Sequence, residues 1–279
     1  MYVPKTFPDP STLNGGSLLV AWQLKEKRVL IVGGGDVASG RLQSVLVADA
    51  LVTLISPRKG LHSLTKYLID EFPDRITYHD RTFSGPEDLD DVQMVLTAID
   101  DPDLSHAIHA MCRERKIPVN VADVPPLCDF YFGSQISQGP LQIMVSTNGH
   151  GPKMANVIRR RIEENLPNNA GEAIEKVGEL RRLLRERAPG AEIGRKRMKW
   201  MVNICTSWDI AELASLNDEM TKRLLDDGWD KGCVPTPEDV GGKRKQPETR
   251  ILSSNLALPI AFSFLIGCCF ARLVIKAHD

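Results

Sequence analysis

The sequence predicts an α/β fold: a Rossmann-like parallel sheet, then a C-terminal helical region and a C-terminal transmembrane helix. Short apolar runs alternate with segments of helical periodicity up to about residue 146, as in a parallel sheet covered by helices. From there to residue 230 the periodicity is helical throughout. Residues 251–271 contain no charged side chain. A chain of 279 residues is long enough to build one large domain or two of ordinary size.

Apolar, β-branched segments predict the strands of the sheet, and amphipathic segments predict the helices between and after them. The predicted strands are 29–32, 51–56, 76–79, 92–98 and 118–121, with 141–146 as a candidate sixth strand. The predicted helices are 37–48, 104–116, 154–165, 170–186, 195–207 and 216–227. We therefore divide the chain into an N-terminal extension (1–20), a dinucleotide-binding domain (21–146), a helical region (147–230), a linker (231–250) and an apolar tail (251–275).

Composition excludes some classes of protein. The 35 basic and 36 acidic residues nearly cancel, which argues against a nucleic-acid-binding protein. The six cysteines form no C-x-x-C pair and no regular framework, so neither a metal site nor a disulfide scaffold is indicated, and a reducing compartment fits best. The N-terminus lacks the basic start and apolar stretch of a secretory signal.

The tail favours a membrane anchor. As a helix, residues 251–271 would extend about 31 Å, close to the roughly 30 Å of a bilayer core. Polar residues and a proline lower the hydropathy of its first turns. A buried helix of a soluble domain is therefore the alternative. More basic residues precede this segment than follow it, which predicts a folded body on the cytosolic side.

A glycine-rich turn predicts a dinucleotide site. The sequence Gly33-x-Gly35-x-x-Ala38 follows the first strand and opens the first helix, where glycines let the backbone turn tightly and approach a pyrophosphate. Amides at the start of that helix would bind the phosphates. The predicted cofactor-binding residues are Gly33, Gly35, Asp36, Val37 and Ala38 in this turn, Ser56 after the second strand, and Thr97 and Ala98 at the end of the fourth.

The second strand lacks the acidic residue that usually binds the ribose hydroxyls. In its place stands Ser56, followed by Pro57, Arg58 and Lys59. Two interpretations remain open: the two cations bind a 2′-phosphate, which indicates NADP, or serine and backbone groups reach the ribose of NAD. The loop alone slightly favours NADP.

Three motifs carry a resemblance to a known family. They are Asn120-Val121-Ala122-Asp123 with the segment 125–133, the glycine turn upstream, and the segment 141–149. Over residues 21–227 the chain resembles the fungal siroheme synthases, which are bifunctional precorrin-2 dehydrogenases and ferrochelatases. The resemblance implies oxidation of precorrin-2 to sirohydrochlorin with NAD, insertion of ferrous iron as second substrate, and a homodimer. Because the second strand of the family tends to end in Ser-Pro, it also moves the cofactor prediction to NAD.

The resemblance carries the family's catalytic aspartate onto Asp123. Asp123 directly follows a strand, where α/β sheets bind ligands, so one carboxylate could accept protons in both reactions. By position alone it could instead be an ordinary loop aspartate. Asp129 is the rival carboxylate, although its aromatic neighbours indicate a packing segment.

The substrate carries eight carboxylates, so its pocket needs cations. The predicted substrate-binding residues are Asn120, Ser146, Asn148, Lys153 and Arg159. A solvated helix face is the alternative for most of the arginines 159–161, and Trp200, Trp208 and Trp229 are interpreted as core or interface aromatics. The late helical region lacks a histidine that the family can carry there, and His150 is a possible substitute. Two alternative functions are a membrane-tethered NAD(H) sensor and a dehydrogenase without chelatase activity.

Overall fold

The computed structural model describes residues 9, 11 and 15–243. Within them the chain forms two compact units. The first comprises residues 15–137 and 142–166, and the second comprises residues 138–141 and 167–243. The helix at 152–165 therefore belongs with the sheet unit and not with the later helices.

A parallel sheet of five strands organises the first unit, in the order β3-β2-β1-β4-β5. The strands are β1 (Arg28–Val32), β2 (Leu51–Ile55), β3 (Ile76–His79), β4 (Met94–Thr97) and β5 (Val119–Val121). Strand β1 pairs with both β2 and β4, and its residues from Val29 to Val32 are at most 2% exposed. An unbroken apolar run is what a strand covered on both faces requires. This part of the structure confirms the predicted α/β fold and parallel sheet.

Helices cover both faces of this sheet. They are α1 (Asp36–Val47), α2 (Ser63–Glu71) and α3 (Pro102–Glu114). Leu42 and Val45 of α1 pack with Leu68 of α2 against one face, while Ile108 and Cys112 of α3 pack against the other. Helix α2 was not predicted, because only two of its residues are buried and its apolar stripe is short.

The candidate sixth strand does not extend the parallel sheet. Instead β7 (Leu141–Val145) pairs with β6 (Ser134–Gln138) in a separate sheet of two strands. The Gly139-Pro140 turn joins them, and Gly139 has φ +54°, a conformation that glycine adopts without strain. A two-residue connection permits only an antiparallel partner, so residues 141–145 pair with their immediate neighbour. The prediction of a strand was correct and its implied partner was wrong.

Helix α4 (Pro152–Asn165) completes the first unit, and the second unit is helical. Its helices are α5 (Ala170–Arg187), α6 (Gly194–Ser207), α7 (Ile210–Ala214) and α8 (Asp218–Arg223), the last continued by a π-helical turn at Leu224–Trp229. Their core includes Trp200, Trp208 and Trp229, all at most 7% exposed. The indole N–H of Trp200 donates to the Cys233 carbonyl and that of Trp208 to the Pro235 carbonyl, so these aromatics are core residues as predicted.

The predicted apolar tail lies outside the described residues. Among residues 9, 11 and 15–243, no helix is both long and apolar enough to cross a membrane.

An ion pair between Arg81 and the buried carboxylate of Asp88 fixes the turn after β3. Asp88, whose side chain is 7% exposed, accepts hydrogen bonds from Arg81 Nη1 at 2.9 Å and Nη2 at 2.6 Å, and from the amide of Ser84 at 2.8 Å. The hydrogen bonds from Arg81 are the main cause that lowers the pKa of Asp88 from 3.8 to about 2. Since the folded pKa is below the unfolded one, this stabilisation is complete above about pH 4 and is lost as the pH falls toward 2.

We expect Asp88→Asn to lower the free energy of unfolding by about 2 kcal/mol at pH 7, because it removes the charge that binds Arg81. Urea unfolding at pH 7 and at pH 2 checks this, and the gap between wild type and variant should narrow at the lower pH. Asp90→Asn is the matched control, since its pair with Arg115 is largely exposed. Equal losses in both variants would contradict the prediction.

Candidate functional site

The carboxyl edge of the sheet has a switch point between β1 and β4, where the chain leaves adjacent strands toward opposite faces. Such points form the ligand crevices of open α/β sheets. Gly33 follows β1 and Ala98 follows β4. The amide of Ala98 donates to the Val32 carbonyl at 2.8 Å, which extends the pairing to the mouth of the crevice.

Two glycines at this point are required by close packing. Gly33 has φ +112°, and a Cβ there would lie 2.0 Å from the carbonyl oxygen of Ala98. A Cβ on Gly34 would lie 2.5 Å from Leu61 Cδ2 and 2.8 Å from Ser56 Oγ. Gly34 is further fixed through its carbonyl, which accepts hydrogen bonds from the His62 amide and from Thr65 Oγ1. A side chain at position 33 would displace the backbone of the turn, and one at position 34 would push the side chains of Leu61 and Ser56 aside.

Gly35 differs because its Cβ position is open, with nothing within 4 Å. Gly35 is the N-cap of α1 and provides no capping side chain. The first backbone bond of the helix runs from the Ser39 amide to the Gly35 carbonyl, so the amides of residues 36–38 have no helical acceptor. Asp36 and Val37 are exposed and Ala38 is buried. This helix end is open to an anion.

Thr97 supplies a second sign of a ligand. Its side chain is 2% exposed, and Oγ1 is buried without a hydrogen-bond partner among the described residues. A buried hydroxyl without a partner costs free energy, so a hydrogen bond from a group beyond the described residues, such as a bound ligand, would be favourable. An open helix N-terminus, the glycine turn and this hydroxyl together fit a bound dinucleotide.

The loop after β2 holds the predicted ribose-binding region. Ser56 is 4% exposed, with its hydroxyl over Gly34 and 3.4 Å from the Pro57 carbonyl oxygen. Arg58 is exposed, and both its amide and its Nε contact the carboxylate of Asp80. Lys59 is exposed. The side chain of Ser56 therefore fills the turn, while Arg58 is paired with an acid from the end of β3.

Asp123 lies at the same carboxyl edge, two residues after β5. The amide of Ala122 still bonds to the Thr97 carbonyl, so Asp123 follows directly from the sheet. Asp123 is exposed and has φ +60°, a left-handed conformation that aspartate tolerates. Its carboxylate has no hydrogen bond to any other residue in the described part of the chain. A free carboxylate on a fixed backbone is suited to proton transfer.

The segment after Asp123 is fastened to β5 by side chains. Asn120, 3% exposed, donates from Nδ2 to the Phe130 carbonyl at 2.7 Å. The Cys128 thiol donates to the Val121 carbonyl at 3.1 Å. Asp129 accepts from the Val119 amide at 3.0 Å and pairs with Arg113 at 2.9 Å. Asp129 is thus engaged in structure, and buried Asn120 holds the loop.

Sequence reasoning missed Arg41 of α1. Its guanidinium carbon lies 3.9 Å from the centre of the Phe132 ring, and Nη1 is buried without a hydrogen-bond partner among the described residues. Burial lowers the pKa of Arg41, while Cys128 and Asp123 oppose that shift. Arg41 is therefore a charge within electrostatic reach of Asp123. No sequence motif marks it, because the contact with the 123–132 loop is long-range.

The predicted substrate-binding loop precedes α4. The amide of Asn148 donates to Ser146 Oγ at 3.2 Å, and Asn148 Nδ2 donates to the Gly15 carbonyl at 2.9 Å. Asn148 Oδ1 also accepts from Ser17 Oγ. His150 is exposed, with Nδ1 close to the carbonyls of residues 147 and 148. The side chain of Asn148 therefore fixes this loop to the segment that precedes β1.

Of the predicted cations, Lys153 is exposed in the first turn of α4 and forms no ion pair with a described residue. Arg159 pairs with Glu163 at 2.5 Å, and its side chain is 18% exposed. Arg160 and Arg161 are exposed. Within the described part of the chain, no group of three or more His, Cys, Asp or Glu side chains could hold a metal ion.

Family models match three consecutive segments of the chain. An NAD(P)-binding family matches residues 20–134. The central region of sirohaem biosynthesis proteins matches residues 138–165, and their C-terminal region matches residues 167–235.

Known proteins extend this similarity. A siroheme biosynthesis protein of Schizosaccharomyces pombe is 53% identical over 211 residues, covering 76% of this chain and 79% of that protein. A siroheme biosynthesis protein of Saccharomyces cerevisiae is 34% identical, covering 75% of this chain and 89% of that protein. A siroheme synthase of a Psychrobacter species is 35% identical, but the chain spans only 34% of its length.

The solved structure of SirC, a precorrin-2 dehydrogenase, has the same fold. It covers 76% of this chain and 98% of its own, with a TM-score of 0.59 and 21% sequence identity. The identity and coverage of the Schizosaccharomyces pombe relative establish what the glycine turn and the 120–133 segment indicated: the chain belongs to the family of siroheme biosynthesis proteins.

Proposed function

We propose that this protein oxidises precorrin-2 to sirohydrochlorin with NAD and then inserts ferrous iron to form siroheme. The observation that carries the proposal is the free carboxylate of Asp123 at the carboxyl edge of the sheet. The same edge holds the glycine turn and the buried Thr97 hydroxyl. Membership of the siroheme biosynthesis family supports the pathway, and SirC, which shares the fold, is a dehydrogenase of precorrin-2, the substrate of the first reaction.

NAD would be held by the open amides of α1, by the backbone at Gly35 and by Thr97. When bound, it supplies the hydride acceptor for the oxidation. Because Gly33 and Gly34 carry no side chains, the cofactor would approach the backbone of the turn directly. Buried Ser56 and Leu61 support that turn from behind.

Asp123 would act as the base. Oxidation of precorrin-2 removes one hydride and one proton, and the carboxylate accepts the proton from carbon. Insertion of Fe²⁺ replaces two N–H protons of the ring, which the same carboxylate accepts one after the other, releasing each to water. The macrocycle supplies four nitrogen ligands to its iron substrate, so the protein needs no metal-binding cluster of its own.

Arg41 and the loop interactions would keep this base in position. The fixed backbone from Asn120 to Phe130 sets the direction of Asp123, and the guanidinium of Arg41 lies within electrostatic reach of its carboxylate. Lys153 and one or two of the exposed arginines in α4 would bind the substrate carboxylates. Ser146 and Asn148 would shape that side of the pocket.

We also propose a homodimer formed through α4. Met154, Val157 and Ile158 share one helix face and are 57%, 36% and 41% exposed. Clustered apolar side chains on a surface are typical of protein interfaces. A membrane anchor formed by residues 251–275 remains part of the proposal, and it rests on the sequence of that segment alone.

Substitutions of Gly33 and of Gly35 should have different effects. Gly33→Ala places Cβ against the Ala98 carbonyl and should lower stability by more than about 2 kcal/mol. Gly35→Ala should keep the melting temperature but weaken NAD binding at least about tenfold, because its methyl group occupies the approach of the pyrophosphate. Thermal unfolding and calorimetric titration with NAD separate the two effects. Unchanged NAD affinity in Gly35→Ala would exclude this turn as the binding site.

Asp123→Asn should lower kcat of both reactions at least about 100-fold while NAD affinity stays unchanged, because the amide keeps the shape and removes the base. Sirohydrochlorin and NADH are followed by absorbance, and Fe²⁺ or Co²⁺ is then added to measure chelation.

Asp91→Asn is the matched control for this variant. Asp91 is also exposed and left-handed, with φ +58°, but precedes β4 at the opposite edge of the sheet. Loss of chelation alone in Asp123→Asn would disprove a shared base. A wild-type protein without chelation would indicate a dehydrogenase only, and one without either activity would indicate a sensor.

Ile158→Lys should convert the dimer to a monomer, because it places a charge in the apolar face of α4. Glu163→Lys adds the same side chain at an exposed position on the opposite face of that helix and should leave the dimer intact. Light scattering coupled to size-exclusion chromatography reports the mass. A dimer that survives Ile158→Lys would show that the interface lies elsewhere.

A further inference from the structure

An acidic residue does stand beside the end of the second strand, but it comes from the third. Strands β2 and β3 pair in parallel with Ile55 opposite His79, so Ser56 and Asp80 follow at neighbouring positions on the carboxyl edge. The amide of Ser56 donates to the His79 carbonyl, and the Tyr78 hydroxyl donates to the Ser56 carbonyl at 2.9 Å. These bonds hold the two strand ends together.

Asp80 engages Arg58 twice. Its Oδ1 accepts the backbone amide of Arg58 at 2.7 Å, and its Oδ2 lies 3.5 Å from Arg58 Nε. The first contact is made at the start of the short turn Arg58–Gly60. The carboxylate of Asp80 is therefore held by the backbone amide of Arg58 and not only by its flexible guanidinium side chain. Arg58 would otherwise be an exposed cation beside the position where a dinucleotide presents its ribose.

This arrangement bears on the choice between NAD and NADP. A 2′-phosphate requires an unpaired cation and is repelled by a carboxylate nearby. Here Arg58 is already paired, and the carboxylate that pairs it lies at the same edge. Of the two loop cations, Lys59 is exposed and has no ion pair with a described residue. A ribose with a free 2′-hydroxyl brings no such charge and can donate a hydrogen bond to a carboxylate.

We propose that Asp80 determines the coenzyme preference of this protein, by neutralising Arg58 and by repelling a 2′-phosphate. Asp80 thus takes the place of the missing acid of the second strand. The inference rests on the proposed use of NAD and adds to it the residue that excludes NADP.

Calorimetric titration of the full chain with NAD and with NADP, in the absence of precorrin-2, tests this inference. The wild type should bind NAD more tightly. Asp80→Asn should raise the affinity for NADP relative to NAD about five- to tenfold, since it frees Arg58 and removes the repulsion. The double variant Asp80→Asn, Arg58→Gln should lose most of that gain.

Asp74→Asn is the control for a change in overall charge, because Asp74 is exposed but precedes β3 at the opposite edge. It should leave the NAD to NADP ratio at its wild-type value, and melting temperatures verify that each variant folds. A ratio unchanged in Asp80→Asn, or a gain that persists without Arg58, overturns this inference alone. Failure of the wild type to bind either dinucleotide overturns the proposed function as well.

Discussion

The site depends on one close approach of backbone to backbone. Strands β1 and β4 end side by side, and the chain after β1 passes so near the Ala98 carbonyl that residue 33 has no space for a side chain. This contact sets the start of α1 and therefore the direction of its open amides. Because the sheet below is apolar and almost completely buried, the turn cannot relax by shifting the strands.

A second constraint acts at the neighbouring strand. The loop after β5 carries a left-handed aspartate at position 123. Its path is held by the side-chain amide of Asn120 in β5, which donates to the Phe130 carbonyl, and by the Cys128 thiol and Asp129 carboxylate, which bond back to β5. These groups are polar and partly buried, so their hydrogen bonds are costly to break. These bonds restrain the loop, so a base at position 123 would keep one position for two successive substrates.

The sequence predicted most of the elements because the signals were local. Apolar runs and helical periodicity identified the strands of the sheet and most of the helices, and the glycine turn was recognised from its spacing. Interactions between distant positions were missed. Pairing of β7 with β6, the approach of Arg41 to the 123–132 loop and the contact of Asp80 with Arg58 each depend on the folded chain. Asn120 likewise looked like a ligand-binding residue, and only its burial revealed its bond to the loop.

The two halves of the crevice use charge in opposite ways. On the side of β2 and β3, Arg58 is paired with Asp80, and the neighbouring Lys59 is exposed. On the side of β5, the Asp123 carboxylate has no hydrogen bond to another described residue. Arg41 lies within its electrostatic reach, and Arg41 Nη1 is buried without a hydrogen-bond partner among the described residues. A cation that is already paired attracts a phosphate less strongly, whereas a carboxylate without a hydrogen-bond partner is suited to accept a proton. Since both sides are fixed by parallel strands of one sheet, the same backbone would position both the cofactor and the proposed base.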